Sequence, residues 1–336
     1  MKVYVCVTLY HAYITMLMIT AEGNRKDRNI ILLNANNPEV YRQYEYIHEQ
    51  LTKNGYISSV RLRNGHNDFF GDERAKNLEQ MAFVRKTCEA VGTTQYTLVN
   101  FAWNNSYVYP SVNLLYKNCQ SAIFVEESAL IAKLGKENIL KVLYHRIMGN
   151  SVNFYKDSKL SEIVVQKPET FPREWQPKLK RLMIEEYIAK LTDSEKDTIL
   201  QILSRESADL LKLRDKIDAG IVYTCPFSEQ NVISEDEKKA HIEIICNYYQ
   251  RYGSVILKLH PRDLSDYSFI SNVTIISGDF PSELFALAGI KFKFAVSVCS
   301  SAVNTTNADY KVNFNENFYN APRFELKDMY GNVVKD

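Results

Sequence analysis

The sequence predicts an α/β protein with two Rossmann-like units, because short apolar runs alternate with amphipathic helical patterns in both halves of the chain. In the first half the helical patterns include Glu39 to Asn54 and Arg74 to Val91. Such alternation favours a parallel sheet covered on both faces, so residues 1–155 are expected to form the first unit. The apolar runs of this unit are "KVYVCVT", "NIILLN", "ISSVRL", "YTLVNF" and "AIFVEE", and no GxGxxG dinucleotide fingerprint follows the first of them.

The alternation resumes at Ala219 and predicts a second unit over residues 219–336. Its expected strands are "GIVYTCPF", "SVILKLH", "VTIIS" and "FKFAVSV", followed by the polar turn "CSSAVNTTNAD". Helices are expected at Ser234 to Tyr252 and at Pro281 to Ala288. Two such units that face one another across a cleft form the architecture called GT-B.

Residues 156–218 differ from both halves and are expected to form a linker with a helical insertion. The stretch "QKPETFPREWQP" carries three prolines, and charged helical patterns follow at Lys178 to Leu191 and at Ser194 to Asp215. We interpret "KLKRLMIEEYIAKL" as a solvated amphipathic helix, with an anionic membrane surface as the alternative partner of its basic face. These charged helices also suggest a homodimer.

Composition excludes several classes of protein. The 336 residues include 41 Lys and Arg against 40 Asp and Glu, so no global charge favours nucleic acid as the partner. The apolar start "MKVYVCVTLYHAYITMLMIT" is interrupted by polar residues and lacks a cleavage pattern, so we expect a strand over Lys2 to Thr8 and then a helix. Without a membrane-length apolar window, a soluble cytoplasmic protein is expected. Six scattered cysteines without a CxxC pair indicate reduced thiols and no metal site.

The first candidate site is the stretch "KLHP", which ends an apolar run. Lys258 and His260 are two residues apart, so on a strand they point to the same side, and Pro261 ends the ladder because it lacks an N–H group. Ligands of parallel α/β sheets bind at the carboxyl ends of the strands. We therefore expect two cations and a phosphate site here, with a structural histidine as the alternative.

Two further stretches of the second unit could complete this site. "CSSAVNTT" follows an apolar strand, and the hydroxyl groups of Ser300 and Ser301 at a helix start would suit a phosphate or simply cap the helix. In "GDFPSEL", Asp279 and Pro281 mark another helix start. Glu283 is there either a first-turn acid or an acceptor for the hydroxyl groups of a ribose.

An acidic pair in "AIFVEES" is the candidate site of the first unit. Glu126 and Glu127 end an apolar strand, and adjacent residues of a strand point to opposite sides. One carboxylate is therefore expected to face the cleft and the other to cap or pair. The one that faces the cleft could take a proton from a hydroxyl group as a general base.

The order of these motifs resembles that of the bacterial sialyltransferases, whose shared marks are a (D/E)(D/E)G motif, an HP motif and an SS motif. Here an acidic pair before a small residue is followed by K-x-H-P, P-x-E-L and a double serine. The stretches "VCVTLYHAYI" and "YTCPFSE" look most like the lipooligosaccharide sialyltransferases, glycosyltransferase family 52, with the bacterial polysialyltransferases as near relatives. The resemblance spans residues 1 to about 310.

The resemblance implies an inverting sialyltransferase that needs no metal and no cofactor. It would move sialic acid from CMP-sialic acid to a glycan hydroxyl group of a lipooligosaccharide or capsule polysaccharide. A nucleotide-sugar donor and a glycan acceptor would be its partners, and the inner face of the bacterial membrane is an alternative location to the cytoplasm.

The resemblance also implies roles for individual residues. Glu126 would be the catalytic base, and His260 would contact the donor phosphate as an acid or an electrostatic stabiliser. Lys258 and Glu283 would line the cytidine and the ribose, and Ser300 and Ser301 would hold the phosphate. Further donor contacts are expected from Thr224, Phe227, Ser228 and Pro261, and sugar or acceptor contacts from Thr8, Tyr10 and His11.

One departure from the family pattern keeps an alternative open. Ser128 stands where the family has Gly, so if that turn needs a positive φ the base could be Glu127. The nearest rival functions are other GT-B transferases with a Kdo, pseudaminic acid or glycerophosphate donor. A non-catalytic nucleotide-binding assembly protein is the rival from another class.

Overall fold

The computed structural model divides into two compact units, Met1–Glu195 and Lys196–Asp336, and each contains one parallel β-sheet. The residues that it describes are 1–23, 29–35, 38–55, 57, 59–64, 78–79, 82–83, 86, 95–101, 115–126, 158–215, 218–300, 302–314, 327–328, 330 and 332. The predicted α/β class with two Rossmann-like units is confirmed.

The first unit has a seven-stranded sheet in the order β3-β2-β1-β4-β5-β6-β7. Every neighbouring pair in it is parallel. The order reverses between β1 and β4, which defines a switch point at the carboxyl ends of these two strands. Its described elements are β1 (Lys2–Cys6), α1 (Leu9–Ala21), β2 (Ile30–Ala35), α2 (Pro38–Lys53), β3 (Ser59–Asn64), β4 (Thr97–Asn100), β5 (Ser121–Val125), β6 (Leu160–Val165), β7 (Leu179–Arg181), α3 (Ile184–Ala189) and the start of α4 (Asp193–Leu203).

Helix α1 explains the apolar character of the N-terminal stretch. Nearly all of its side chains are buried, including the polar His11, Thr15 and Thr20. A helix that is buried all round has no polar face, and its sequence therefore resembles a secretory signal. Among the residues with a described structure, no helix combines the length and the apolar character that crossing a bilayer requires.

The structure differs from the prediction of a linker over residues 156–218. Leu160–Val165 and Leu179–Arg181 are β6 and β7, and they extend the first sheet. The expected helix from Lys178 to Leu191 is wrong, because its first residues form this edge strand and only Ile184–Ala189 is helical. The continuous amphipathic face on which a membrane contact would depend is therefore not formed. The predicted helix from Arg74 to Val91 lies largely outside the described residues.

The second unit has a five-stranded sheet in the order β10-β9-β8-β11-β12, again with parallel neighbours throughout. Its switch point lies between β8 and β11. The strand β12 was not expected: its first two residues were interpreted as the end of a polar turn, and no element was predicted for the rest. The elements are α5 (Ser207–Lys212), β8 (Gly220–Tyr223), α6 (Glu235–Tyr249), β9 (Val255–Lys258), β10 (Val273–Ile276), α7 (Leu284–Leu287), β11 (Phe292–Val298), α8 (Ala302–Thr305) and β12 (Ala308–Phe314).

The register of the second sheet brings several sequence motifs to one edge. Tyr223 at the end of β8 is paired with Lys258 on one side and with Ser297 on the other. Lys258 is in turn paired with Ile276 of β10. The loops that follow these four strands therefore leave the sheet at the same edge, where ligands of such sheets bind. The described cysteines are free thiols, all of them buried except Cys299.

Candidate active site

The turn after β9 carries His260 and Pro261 of the predicted site. All four residues of β9 are buried, and the strand ends before Pro261, which has no N–H group for the ladder. The Asp263 amide donates to the His260 carbonyl at 2.9 Å and closes a tight turn. The His260 amide donates to Thr224 Oγ1 at 2.9 Å, which fastens the turn to the loop after β8. Two loops of the carboxyl edge are thus joined at His260.

The imidazole of His260 is held in one tautomer. Its Nδ1 accepts a hydrogen bond of 3.1 Å from the Arg262 amide, so the ring proton lies on Nε2. Burial lowers the pKa of His260 to about 4, and the positive charges of Arg262 and Lys258 add to this effect. The ring is therefore neutral at pH 7 in the unliganded protein. The charged imidazole expected beside a donor phosphate stays a prediction, and in this structure the group is an oriented N–H donor.

Lys258 is packed inside the second unit. Its side chain is 3% exposed, its Nζ donates to the Ser277 carbonyl at 2.8 Å, and Nζ lies 3.9 Å from the Phe280 ring centroid. Burial lowers the pKa of Lys258 to about 7, although Glu206, Asp279 and Glu283 oppose the shift. The sequence analysis expected two cations at the carboxyl end of β9. The structure has instead a neutral imidazole at His260 and a buried, partly protonated amine at Lys258.

Burial raises the pKa of the Glu283 carboxyl group, although the charge of Lys258 acts in the opposite direction. Its Oε2 accepts from Ser282 Oγ at 3.3 Å, and its Oε1 accepts from Thr305 Oγ1 at 3.5 Å. The expected helix from Pro281 to Ala288 is shorter than predicted, since α7 begins only after Glu283. Glu283 thus belongs to the group of polar residues around Lys258.

The loops at the switch point between β8 and β11 are tied together by polar contacts. Cys225 Sγ donates to the Val298 carbonyl at 2.8 Å across the two strand ends. Cys299 has a φ of +53°, in the left-handed region that favours glycine. Ser300 Oγ accepts from the Ala302 amide at 3.3 Å, as a helix cap would. Ser301 lies outside the described residues.

The remaining donor-site candidates follow β8. Phe227 packs against the core of the second unit, and its amide donates to the Cys225 carbonyl at 2.9 Å. Ser228 Oγ donates to Glu229 Oε2 at 3.0 Å. Together with Thr224, these residues shape the loop that is fastened to the turn at His260.

Glu126 is fixed at the carboxyl end of β5 in the first unit. The side chain is mostly buried, its Oε2 accepts from the Gln166 amide at 2.5 Å, and its own amide donates to the Val164 carbonyl at 2.9 Å. A carboxylate held by a charge-assisted hydrogen bond has a defined direction. Glu127 and Ser128 lie outside the described residues, so the choice between the two glutamates stays a prediction.

Residues 8–11 form the start of α1. Thr8 Oγ1 accepts from the His11 amide at 3.4 Å, and His11 Nδ1 accepts from the amides of Val7 and Thr8 at 3.0 and 3.4 Å. The His11 ring is buried and stacks on Phe101 with 4.6 Å between the centroids. Tyr10 is half-buried on the same turn. His11 thus caps the helix, and its predicted contact with a sugar stays a prediction.

Three residues near His260 were missed by the sequence analysis. Lys238 and Asp263 form a buried ion pair, with 2.8 Å between Nζ and Oδ1. Gly278 lies against the peptide bond between His260 and Pro261. A glycine two residues after a strand is the one signal in the sequence that could have indicated close backbone approach.

One comparison with known proteins agrees with the resemblance found in the sequence. A family model described as glycosyltransferase family 52 matches residues 113–313. A solved structure, UDP-GlcNAc 2-epimerase from Neisseria meningitidis bound to UDP-GlcNAc, is similar with a TM-score of 0.49 and 12% identity, over 90% of this chain and 79% of that one. No curated protein sequence matches the chain significantly. Because the family match covers more than half of the chain, this protein belongs to glycosyltransferase family 52 and is a glycosyltransferase, with a nucleotide-sugar donor and a glycan acceptor as substrates.

Proposed function

We propose that the protein is an inverting, metal-independent sialyltransferase that moves sialic acid from CMP-sialic acid to a glycan hydroxyl group of a bacterial surface lipooligosaccharide or polysaccharide. The observation that carries this proposal is the oriented Nε2–H group of His260, held by the amide of Arg262 at the carboxyl edge of the second sheet. A neutral N–H donor at this edge suits a phosphate that leaves as a weak base.

The proposed reaction assigns one role to each unit. The acceptor oxygen forms a bond to the anomeric carbon of the sialic acid, and the bond from that carbon to the phosphate oxygen of CMP breaks. The proton of the acceptor hydroxyl group goes to Glu126, a carboxylate held by the Gln166 amide. His260 Nε2–H donates a hydrogen bond to the leaving phosphate and stabilises its developing charge.

Ligand binding is the first test. In a thermal-shift panel of CMP, CDP, UDP and GDP, we expect CMP to raise the melting temperature most. Release of CMP from CMP-sialic acid in the absence of acceptor is then measured by chromatography. A protein that binds CMP but releases none from this donor would be the non-catalytic rival, and preference for CMP-Kdo, CMP-pseudaminic acid or CDP-glycerol would identify another transferase.

Substitutions test the assigned roles. His260→Ala and Glu126→Ala are each expected to lower turnover by roughly 10² or more while the protein stays folded. EDTA is expected to leave turnover unchanged, and a strict requirement for a divalent ion would contradict the metal-free scheme. A homodimer remains a prediction that sedimentation velocity would check.

A further inference from the structure

Lys238 of α6 is a buried lysine that joins two loops of the proposed donor site. Its side chain is 1% exposed, and its Nζ lies 2.8 Å from Asp263 Oδ1. The same Nζ lies 2.8 and 3.0 Å from the two carboxylate oxygens of Glu229. Glu229 belongs to the loop after β8, and Asp263 to the turn after β9. One ammonium group therefore bridges the two loops that meet at His260.

Asp263 accepts further hydrogen bonds and connects Lys238 to the turn that carries His260. Its carboxylate also accepts from the Ser265 amide at 3.1 Å and from Tyr267 Oη at 2.9 Å. Its own amide donates to the His260 carbonyl at 2.9 Å, which closes the turn. The position of the Asp263 side chain thus fixes the backbone on which the imidazole is carried.

Glu229 forms a second path from Lys238 to the same turn. Its Oε1 accepts from the Leu264 amide at 3.2 Å, one residue beyond Asp263. Hydrogen bonds from Lys238 and from the Leu264 amide hold the pKa of Glu229 below its ordinary value, although burial acts in the opposite direction. The Glu229 carboxylate therefore stays ionised at neutral pH and keeps its hydrogen bonds to Lys238 Nζ.

We propose that Lys238 is a positioning residue for His260, which acts by holding Asp263 and Glu229 so that the His260 ring keeps its Nε2–H tautomer and its direction toward the donor phosphate. Lys238 touches neither the substrate nor the reacting atoms in this scheme. The catalytic part of this inference rests on the proposed function.

The physical basis is the cost of leaving a buried carboxylate without its cation. Removal of Lys238 leaves Asp263, whose side chain is 0% exposed, as an uncompensated buried charge. The turn is then expected to open toward water, and the bond from the Arg262 amide to His260 Nδ1 is lost with it. A displacement of about 1 Å in a group that contacts the reacting atoms lowers turnover by up to about 10²-fold.

The experiment compares Lys238→Met with Lys239→Met. Lys239 is the next residue of α6 and is bound to Glu235 at 2.8 Å on the surface, so the control removes an equal charge and an ion pair. For Lys238→Met we expect kcat for CMP-sialic acid hydrolysis to fall about tenfold or more, with KM within about twofold of the wild type. Lys239→Met is expected to keep both constants, and Lys238→Arg to recover most of kcat.

A double-mutant cycle separates positioning from general damage. In a His260→Ala background, Lys238→Met is expected to cause no further loss of kcat, because the residue acts through the imidazole. If the two losses multiply as independent effects, the inference is overturned. If Lys238→Met alone fails to fold, the double variant Lys238→Met with Asp263→Asn takes its place. This variant lacks the buried carboxylate of Asp263 as well as the amine of Lys238.

A spectroscopic measurement tests the inference without any catalysis. The ¹⁵N shifts of the His260 ring, assigned with His260→Gln, are expected to show protonated Nε2 in the wild type and in Lys239→Met at pH 7. In Lys238→Met a mixture of tautomers is expected because the turn opens, and in the paired variant a mixture is expected because no cation joins the two loops. An unchanged tautomer overturns the inference. If the wild type hydrolyses no CMP-sialic acid, the proposed function fails and the tautomer measurement alone decides this inference.

Discussion

Gly278 lies against the backbone of His260 with no room for a side chain. A β-carbon at this glycine would lie 2.6 Å from the carbonyl carbon of His260 and 2.7 Å from its carbonyl oxygen. The neighbouring atoms are backbone and cannot move aside as a flexible side chain would. The loop after β10 thus supports the turn after β9, and neither loop can change its conformation without the other.

This contact gives the first prediction. Gly278→Ala is expected to displace the turn, to lower turnover by about tenfold or more and to destabilise the fold by about 1–3 kcal/mol, as overpacking does. Steady-state hydrolysis of CMP-sialic acid and chemical denaturation measure the two effects. Ser277→Ala, one residue earlier, is the control and is expected to have a small effect. Native turnover and stability in Gly278→Ala would refute the close contact.

The hydroxyl group of Thr224 gives the second prediction. Thr224→Val keeps the shape of the side chain but leaves the His260 amide without its 2.9 Å partner at a buried position. A lost partner of this kind costs about 1–3 kcal/mol, so we expect turnover to fall and the unfolding midpoint in urea to decrease. Thr224→Ser retains the acceptor and is expected to restore both. Equal turnover and equal unfolding midpoints in the Val and Ser variants would show that the hydroxyl group is unimportant.

The protonation state of His260 gives the third prediction. Its pKa is about 4 in the folded protein and about 6.5 in the unfolded chain, so the unfolded state binds the extra proton between these two values. The contribution of His260 to stability is therefore full above pH 6.5 and is lost as the pH falls toward 4. The slope is at most about 1.4 kcal/mol per pH unit for one proton.

Comparison of the wild type with His260→Gln isolates this contribution, because burial also lowers the pKa of His241. Stability curves measured from pH 7 to pH 4 are expected to converge as the pH falls, since only the wild type loses the His260 contribution. Parallel curves would mean that folding does not lower the pKa of the His260 imidazole. In the presence of CMP, the anionic phosphate is expected to move the pKa of His260 upward.

Glu126 gives the fourth prediction. Glu126→Gln retains an oxygen that can accept from the Gln166 amide but removes the basic carboxylate. We expect kcat for transfer to fall by roughly 10² with little change in the thermal shift caused by CMP. Glu162→Gln, at a half-buried glutamate of β6 that pairs with Lys180, is the matched control. Near-native transfer in Glu126→Gln would move the base assignment to Glu127.

Much of the fold could be predicted because parallel strands bury both faces and are therefore continuous apolar runs, as in Val255–Lys258 and Phe292–Val298. Three strands were missed: β6 was assigned to the linker, and β7 and β12 were missed for a common reason. Both lie at the edge of a sheet, and their exposed residues, such as Lys180 and Lys311, resemble those of a solvated helix or a turn.

Only part of the candidate site could be predicted from the sequence. The position of His260 follows from a local pattern, because a proline directly after an apolar strand ends the ladder. The charge state of His260 and the burial of Lys258 depend on Phe280 and on neighbouring strands, and no local pattern contains that information. The contact between Lys238 and Asp263 joins residues that are 25 positions apart, and it exists only because the fold places α6 beside the turn.

The covered position of Lys258 has a consequence for chemical labelling. An amine whose pKa is about 7 is largely nucleophilic at pH 8, yet a reagent dissolved in water cannot reach this Nζ while the second sheet is intact. Acylation at this position would therefore proceed at the rate at which the surrounding structure opens. Mass spectrometry of the labelled peptide would then report the local opening of the second unit, independently of any acceptor sugar.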